Sequence, residues 1–221
     1  MNQRVARDLN NEGIKLCYQN GWLHSEPVDY RALDIVCVFP TRLHAKFVEH
    51  YLTGIPRSFP SDLYPTIESL VEAALRKFSL RNLSSAAQLG TAALMRPVEA
   101  AYQAEMYRAL QVVLGFSSKV SSEWSEDGKG RIDFRIADVG WGIEMMREGN
   151  RLNEHCGRFV GNGRYTPWAQ IHNWIIIDCR TSAPRPYNVP GTKLWRAVFK
   201  SDFTSVEILD SANQVLLTLT S

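Results

Sequence analysis

Apolar and polar positions follow two different rhythms along this chain, and the changes of rhythm mark out its elements. Val5, Leu9, Ile14, Leu16 and Tyr18 recur at helical spacing up to a break at Asn20-Gly21, after which the run IVCVFP reads as a short strand and LHAKFVEHYL as a second helix. The segment GIPRSFPSDLYP then interrupts the pattern with three prolines and a glycine, residues that do not continue regular elements, so it is read as a linker or ordered loop. Two parts are therefore expected: a small helical, winged-helix-like module over 1–54 and a larger domain over 62–221.

In the larger part, Thr66 opens a helix whose buried stripe is Ile67, Leu70, Val71, Ala74, Leu75 and Phe78. After the small-residue stretch SSAAQLGTAA comes RPVEAAYQAEMYRALQVVLG, with Pro97 in the first turn, Gly115 as the stop and apolar residues at 98, 102, 106, 110 and 113. The rhythm then shortens to a period of two. Strands are expected around 117–124, 131–137 and 141–146, followed by a helix over about 148–159, in the order αβββα. NWIIIDCR is almost continuously apolar and suits a strand buried on both faces in the middle of a sheet, while KLWRAVF and TSVEILD alternate as two further strands. The fold class predicted is α/β, a mixed sheet flanked by helices.

The segment RIDFRIADVGWGIEMMREG carries the candidate chemistry. A hairpin turning at Asp138-Val139 sets Asp133 opposite Glu144, and strand alternation sends Ile132, Phe134, Ile136, Trp141, Ile143 and Met145 to one face and Asp133, Arg135, Gly140, Gly142 and Glu144 to the other. Opposed carboxylates repel, so a sheet avoids the pair unless something offsets the repulsion. A divalent cation does so, and magnesium commonly takes only one or two protein carboxylates, with water and substrate phosphate filling its octahedron. The alternative is a solvated polar face on which Arg135 offsets the two acids. Glu105, on the preceding helix, is the residue expected to complete the carboxylate set, while Glu99 is expected to be solvated. On the following helix, Arg147, Arg151 and Arg158 form a stripe with Glu154, either a salt-bridged surface or, with Arg135, a set of phosphate contacts.

Composition narrows the function class only a little. The chain has 221 residues, 45% apolar and 22% charged, values of an ordinary globular protein with room for a sizeable core. No apolar run approaches a membrane span, and the N-terminus lacks the apolar stretch of a secretory signal. A net charge of +2 permits nucleic-acid binding and leaves any basic surface to local clustering. Cys17, Cys37, Cys156 and Cys179 stand singly, without a CxxC pair, and are expected as reduced thiols; His24, His44, His50 and His172 show no ligand spacing.

The order helix with Glu, strand, strand with Asp, strand with Glu and helix resembles the PD-(D/E)xK restriction-endonuclease superfamily. EAAYQAEMYRAL, IDFRI, WGIEMMREGNRLNEHCGRF and IIIDCR are more closely similar to the C-terminal nuclease domain of Crinkler-type effectors of fungi and oomycetes, over about residues 95–200. The resemblance implies a restriction-endonuclease-like fold and a Mg²⁺- or Mn²⁺-dependent endonuclease, with Glu105, Asp133 and Glu144 as metal ligands. It implies DNA, ahead of RNA, as substrate, and an effector acting in the nucleus of a host cell. GWLHSE and FPTRLHAKFVEHYL are similar to the module that follows an NTPase in such proteins; an upstream NTPase, a host protein and a homodimer stay open as partners. One departure stands out. The superfamily lysine falls at position 146, which here is Met146. Arg147, Arg151 and His155 are the candidate substitutes, with His155 foremost; the alternative is a catalytically degenerate nuclease fold that binds DNA or a host protein.

Overall fold

The computed structural model describes residues 5–19, 21, 23–27, 35–39, 41, 58–88, 97–115 and 117–220. The chain divides into two compact units, Met1–Pro56 and Arg57–Ser221. Among the described residues no helix is long and apolar enough to cross a membrane.

The first unit contains β1 (Val5–Ala6), α1 (Glu12–Gln19), β2 (His24–Pro27) and β3 (Ile35–Val38), with the strands in an antiparallel sheet of order β1-β3-β2. The helical reading that began at Val5 is corrected here, because the chain starts as a strand and the helix begins only at Glu12. Local chemistry sets that start: the Asn11 side chain accepts the backbone N–H groups of Gly13 and Ile14 at 3.0 and 3.2 Å, satisfying donors that the first turn leaves open. The helix expected over 43–52, with His44 and His50, lies outside the described residues.

The second unit begins with α2 (Ile67–Leu75), α3 (Leu80–Gln88) and α4 (Glu99–Leu114). A reciprocal Thr66–Ser69 capping box starts α2, and Ile67, Leu70, Val71, Ala74 and Leu75 are all buried. At about 1.5–3 kcal/mol for each large side chain fully removed from water, that stripe outweighs the intrinsic propensity of nine residues. The strands β4 (Val120–Trp124), β5 (Ile132–Ile136), β6 (Trp141–Arg147), β7 (Asn173–Arg180), β8 (Leu194–Phe199), β9 (Ser205–Leu209) and β10 (Val215–Thr220) lie side by side in sequence order. The pairs β6–β7 and β7–β8 are parallel and the rest antiparallel. A short helix, α5 (Leu152–Gly157), lies in the connection from β6 to β7.

The sheet is thus mixed, with NWIIIDCR as its middle strand, as its continuous apolar run predicted. One face packs beneath α2 and α4 through Leu70, Met106, Leu110, Ile143, Met145, Ile175, Ile177 and Phe199. The other face packs against α5 and the loop after it through Ile132, Met146, Cys156, Phe159, Tyr165, Trp168, Ile176 and Leu194. Two features exceed the sequence reading: α3 forms where small residues gave no strong stripe, and β10 adds an edge strand. The helix expected over 148–159 contracts to Leu152–Gly157, because Glu148, Gly149 and Arg151 all take positive φ and form a tight turn first.

Candidate active site

The hairpin forms as its alternation predicted. Phe134 faces Ile143, Arg135 faces Gly142 and Ile136 faces Trp141, and the paired register ends there, one step short of Asp133 opposite Glu144. The faces do not sort as expected at that last step. Phe134 belongs to the core beneath α4, whereas Ile132, two residues earlier, belongs to the core beneath α5. The strand therefore turns over at Asp133. Its neighbour β4 turns over with it: Ser122 pairs with Phe134 and Trp124 with Ile132, and Glu123 between them takes φ +52. Gly142 makes room for the turn, since a Cβ there would meet Ile132 Cδ1 at 2.3 Å.

This local inversion sets the surroundings of Asp133. Its Oδ2 accepts the backbone N–H of Met145 at 2.6 Å, and its Oδ1 accepts the side-chain amide of Gln103 on α4 at 3.1 Å. Burial, and then the charge of Glu144, push its carboxyl up to about 8 against the Met145 bond, with Glu123 and Glu99 adding to the rise. Asp133 opens on a recess of about 230 Å³ between α4 and the β4–β5 edge, lined also by Gln103, Tyr107, Ser122 and Glu123.

Glu144 is held from the α5 side. Only 2% exposed, it accepts two bonds on one oxygen: Arg158 Nη1 donates to Oε1 at 2.8 Å, and His155 Nδ1 lies 2.8 Å from the same atom. The other oxygen, Oε2, is enclosed and has no hydrogen-bond partner. A buried carboxylate oxygen left without a donor is costly, and it marks a place where a cation or an added donor is favoured.

The predicted site residues separate into distinct groups. Asp133 and Glu144 are close enough for the charge of Glu144 to be felt at Asp133, and His155 and Arg158 are drawn to Glu144. Glu105 is buried but faces other partners: it accepts the N–H of Ser79, the Asn82 amide at 3.3 Å and the Arg108 guanidinium, whose Nε lies 2.9 Å away. Burial opposes its ionisation, yet these bonds together hold its carboxyl below the usual value. It ties α3 to α4 and does not line the Asp133 recess. Arg151 pairs with Glu154 on the surface, with Nε 2.6 Å from Oε2, and Arg135 lies over the Trp124 ring at 4.6 Å while donating to Gln170 O at 3.3 Å. Arg147, at the end of β6, is half-buried; its Nε is enclosed and unpartnered.

Met146 is fully buried among the aromatic residues of the α5 side. Asp178 stands opposite it on β7, also fully buried, and accepts Gly149 N–H at 2.8 Å and Arg180 Nη1 at 2.9 Å. Those bonds fix the turn between β6 and α5, and with it the positions of Arg147 and His155.

Sequence reasoning missed Gln103, set Glu99 aside as solvated and missed Glu123. A signal existed for the first two, since Glu99, Gln103 and Tyr107 are spaced four apart and share one side of α4. Glu123 reaches the site only through the strand inversion, which no local pattern announced. Among the described residues no three His, Cys, Asp or Glu side chains form a metal cage, so the carboxylate pair stands without a third ligand of that kind. Comparison of the chain with models of known families, with curated proteins and with solved structures found no match.

Proposed function

We propose that the Arg57–Ser221 unit is a metal-dependent phosphodiesterase of restriction-endonuclease-like architecture that cuts nucleic acid, DNA ahead of RNA. The observation that carries this reading is the carboxylate pair itself. Asp133 is pushed up to about 8 by burial and by Glu144, and Glu144 keeps an enclosed Oε2 with no donor. Both features are relieved by a hard divalent cation, and one or two carboxylates suffice for Mg²⁺ or Mn²⁺. The residues fit such an ion: Asp133 and Glu144 would hold it, and Glu105, engaged with Arg108, would not.

Held there, such a cation would supply Lewis acidity to activate water and positive charge to offset that developing on the scissile phosphate. The chain's own groups do the rest. Arg158 and His155 saturate Oε1 of Glu144 and so fix which oxygen remains available. With Nδ1 committed to Glu144, His155 keeps Nε2 for a proton at the reacting centre. Gln103 and the Met145 N–H orient Asp133. On the resemblance of residues 95–200, the reading extends to an effector working in a host-cell nucleus.

The test is cleavage of plasmid and single-stranded DNA in Mg²⁺, Mn²⁺ or EDTA by the wild type, Asp133→Ala and Glu144→Ala. Metal-dependent cutting lost in both variants is the expected result. A second reading, a nuclease fold that binds without cutting, is favoured by the sealed position of Met146. It requires nucleic-acid affinity that survives EDTA, with no cleavage by any form; that result would displace the first reading.

A further inference from the structure

The basic residues around the site are not equivalent, and their partners sort them. Arg151 and Arg158 are tied to Glu154, with Arg158 also on Glu144; Arg135 is laid over Trp124; Arg180 is bonded to Asp178 and Ser182. Arg147 differs from all of these. It is half-buried, its Nε is enclosed, and its side chain makes no hydrogen bond or ion pair with any described residue. Holding a guanidinium partly out of water without an anion is unfavourable, and a folded chain that tolerates it has an anion to gain from elsewhere.

The position of Arg147 says which anion. Strand alternation puts it on the same face as Met145, and its parallel partner Cys179, like Met145, lies in the core beneath α4. That is the side from which Gln103 reaches Asp133, and the Met145 N–H that holds Asp133 is two residues away, about 7 Å along the strand. Glu99 is an acid of the same region, since its charge is felt by both Asp133 and Cys179, yet no ion pair joins it to Arg147. A planar guanidinium with its donors unspent matches a phosphate's oxygens.

Resting on the phosphodiesterase reading above, we propose that Arg147 is an oxyanion site that takes one backbone phosphate of a nucleic-acid strand bound at the Asp133 site. It does so as a positioning residue. Arg151, the alternative cation of the same turn, is spent on Glu154 and contributes no such contact.

The experiment measures binding, so it stands apart from cleavage. A labelled single-stranded oligonucleotide is titrated by anisotropy in EDTA at several salt concentrations, with wild type, Arg147→Gln, Arg147→Lys and Arg151→Gln. One lost phosphate contact lowers the slope of log affinity against log salt by about 0.7. That decrease is expected for Arg147→Gln, while Arg147→Lys and Arg151→Gln keep the wild-type slope. Arg147→Gln should also melt no lower than wild type, because no intramolecular bond is removed. An unchanged slope in a folded Arg147→Gln overturns the proposal, as does a marked fall in melting temperature, which would make Arg147 structural. Inorganic phosphate is the second probe. If it raises the wild-type melting temperature through Arg147 while the oligonucleotide slopes coincide, the site belongs to free phosphate and not to a strand. A protein that never cuts but shows the Arg147 slope change loses the phosphodiesterase reading and keeps the oxyanion site.

Discussion

Asp133 and Met145 are joined by a bond that a β-ladder ordinarily makes between backbones: the carboxylate Oδ2 accepts the Met145 N–H at 2.6 Å. The side chain has taken over a ladder position at the point where β5 turns over; burial there, and then the charge of Glu144, carry a carboxyl that belongs at 3.8 to about 8 against the Met145 bond. A carboxyl whose folded-state value is raised favours the fold below its unfolded value and loses that contribution as the pH climbs through the folded value. In the absence of metal, stability measured by urea unfolding should therefore fall between about pH 4 and pH 8. Asp133→Asn should flatten that decline. Parallel profiles for the two proteins would mean that Asp133 is ionised without penalty.

Glu105 supports the fold and not the site. Removing it by Glu105→Ala leaves the Ser79 N–H and the Arg108 guanidinium without their carboxylate and should cost about 2–4 kcal/mol in chemical unfolding. Because its carboxyl is held below its ordinary value, its contribution is present at neutral pH and is lost as the pH falls toward and below 4.5. Calorimetric titration with Mn²⁺ gives the second readout. Affinity in Glu105→Ala should match the wild type at a temperature where both are folded, and a large loss would return Glu105 to the metal set.

A lysine placed at position 146 should harm this protein. Met146 is fully buried among Ile132, Cys156, Phe159 and Ile176, and the nearest acid across the strands, Asp178, is already bonded to Gly149 and Arg180. Across the strands an ammonium in that place finds no free partner, and the open Oε2 of Glu144 is two residues away along β6. Met146→Lys is expected to lose about 3 kcal/mol or more, with no gain in cutting, as read from denaturation midpoints and plasmid nicking. A stable and more active variant would show that the position still opens on the reacting centre.

Much of the fold was legible because its signals are local. The capping box at Thr66, the stripe of α2 and α4, the period-two hairpin and the doubly buried β7 each follow from a few consecutive residues. The hairpin register from Phe134–Ile143 to Ile136–Trp141 was legible for the same reason, as turn position and alternation fix it. What escaped depends on contacts between distant segments. Ile132 turns over because Gly142, ten residues on, leaves it space, and that inversion brings Glu123 and Gln103 to Asp133. Glu105 was misplaced because a helical acid can serve any neighbour, and only the packing of α3 on α4 decides that Ser79 and Asn82 claim it.

The turn that follows α5 should prove as sensitive as the carboxylates, for reasons of space alone. A Cβ on Gly163 would stand 2.2 Å from Gly157 O and 2.5 Å from Arg158 O, backbone atoms that cannot swing aside, and the Arg158 carbonyl already accepts the Tyr165 N–H at 2.8 Å. Gly163→Ala must therefore push the end of α5 away from the loop, taking with it the Arg158 side chain that holds Glu144. The expected cost is about 1–3 kcal/mol. Two controls separate crowding from backbone preference. Gly161 has φ +56 but nothing near its missing Cβ, so Gly161→Ala should cost only about 1 kcal/mol. Gly142→Ala meets only the flexible tip of Ile132 at its closest contact, so it should fall below Gly163→Ala in cost while shifting the strand inversion. Melting temperatures of the three variants should thus place Gly163→Ala lowest; an order with Gly161→Ala lowest would mean that backbone strain, and not close approach, governs this turn.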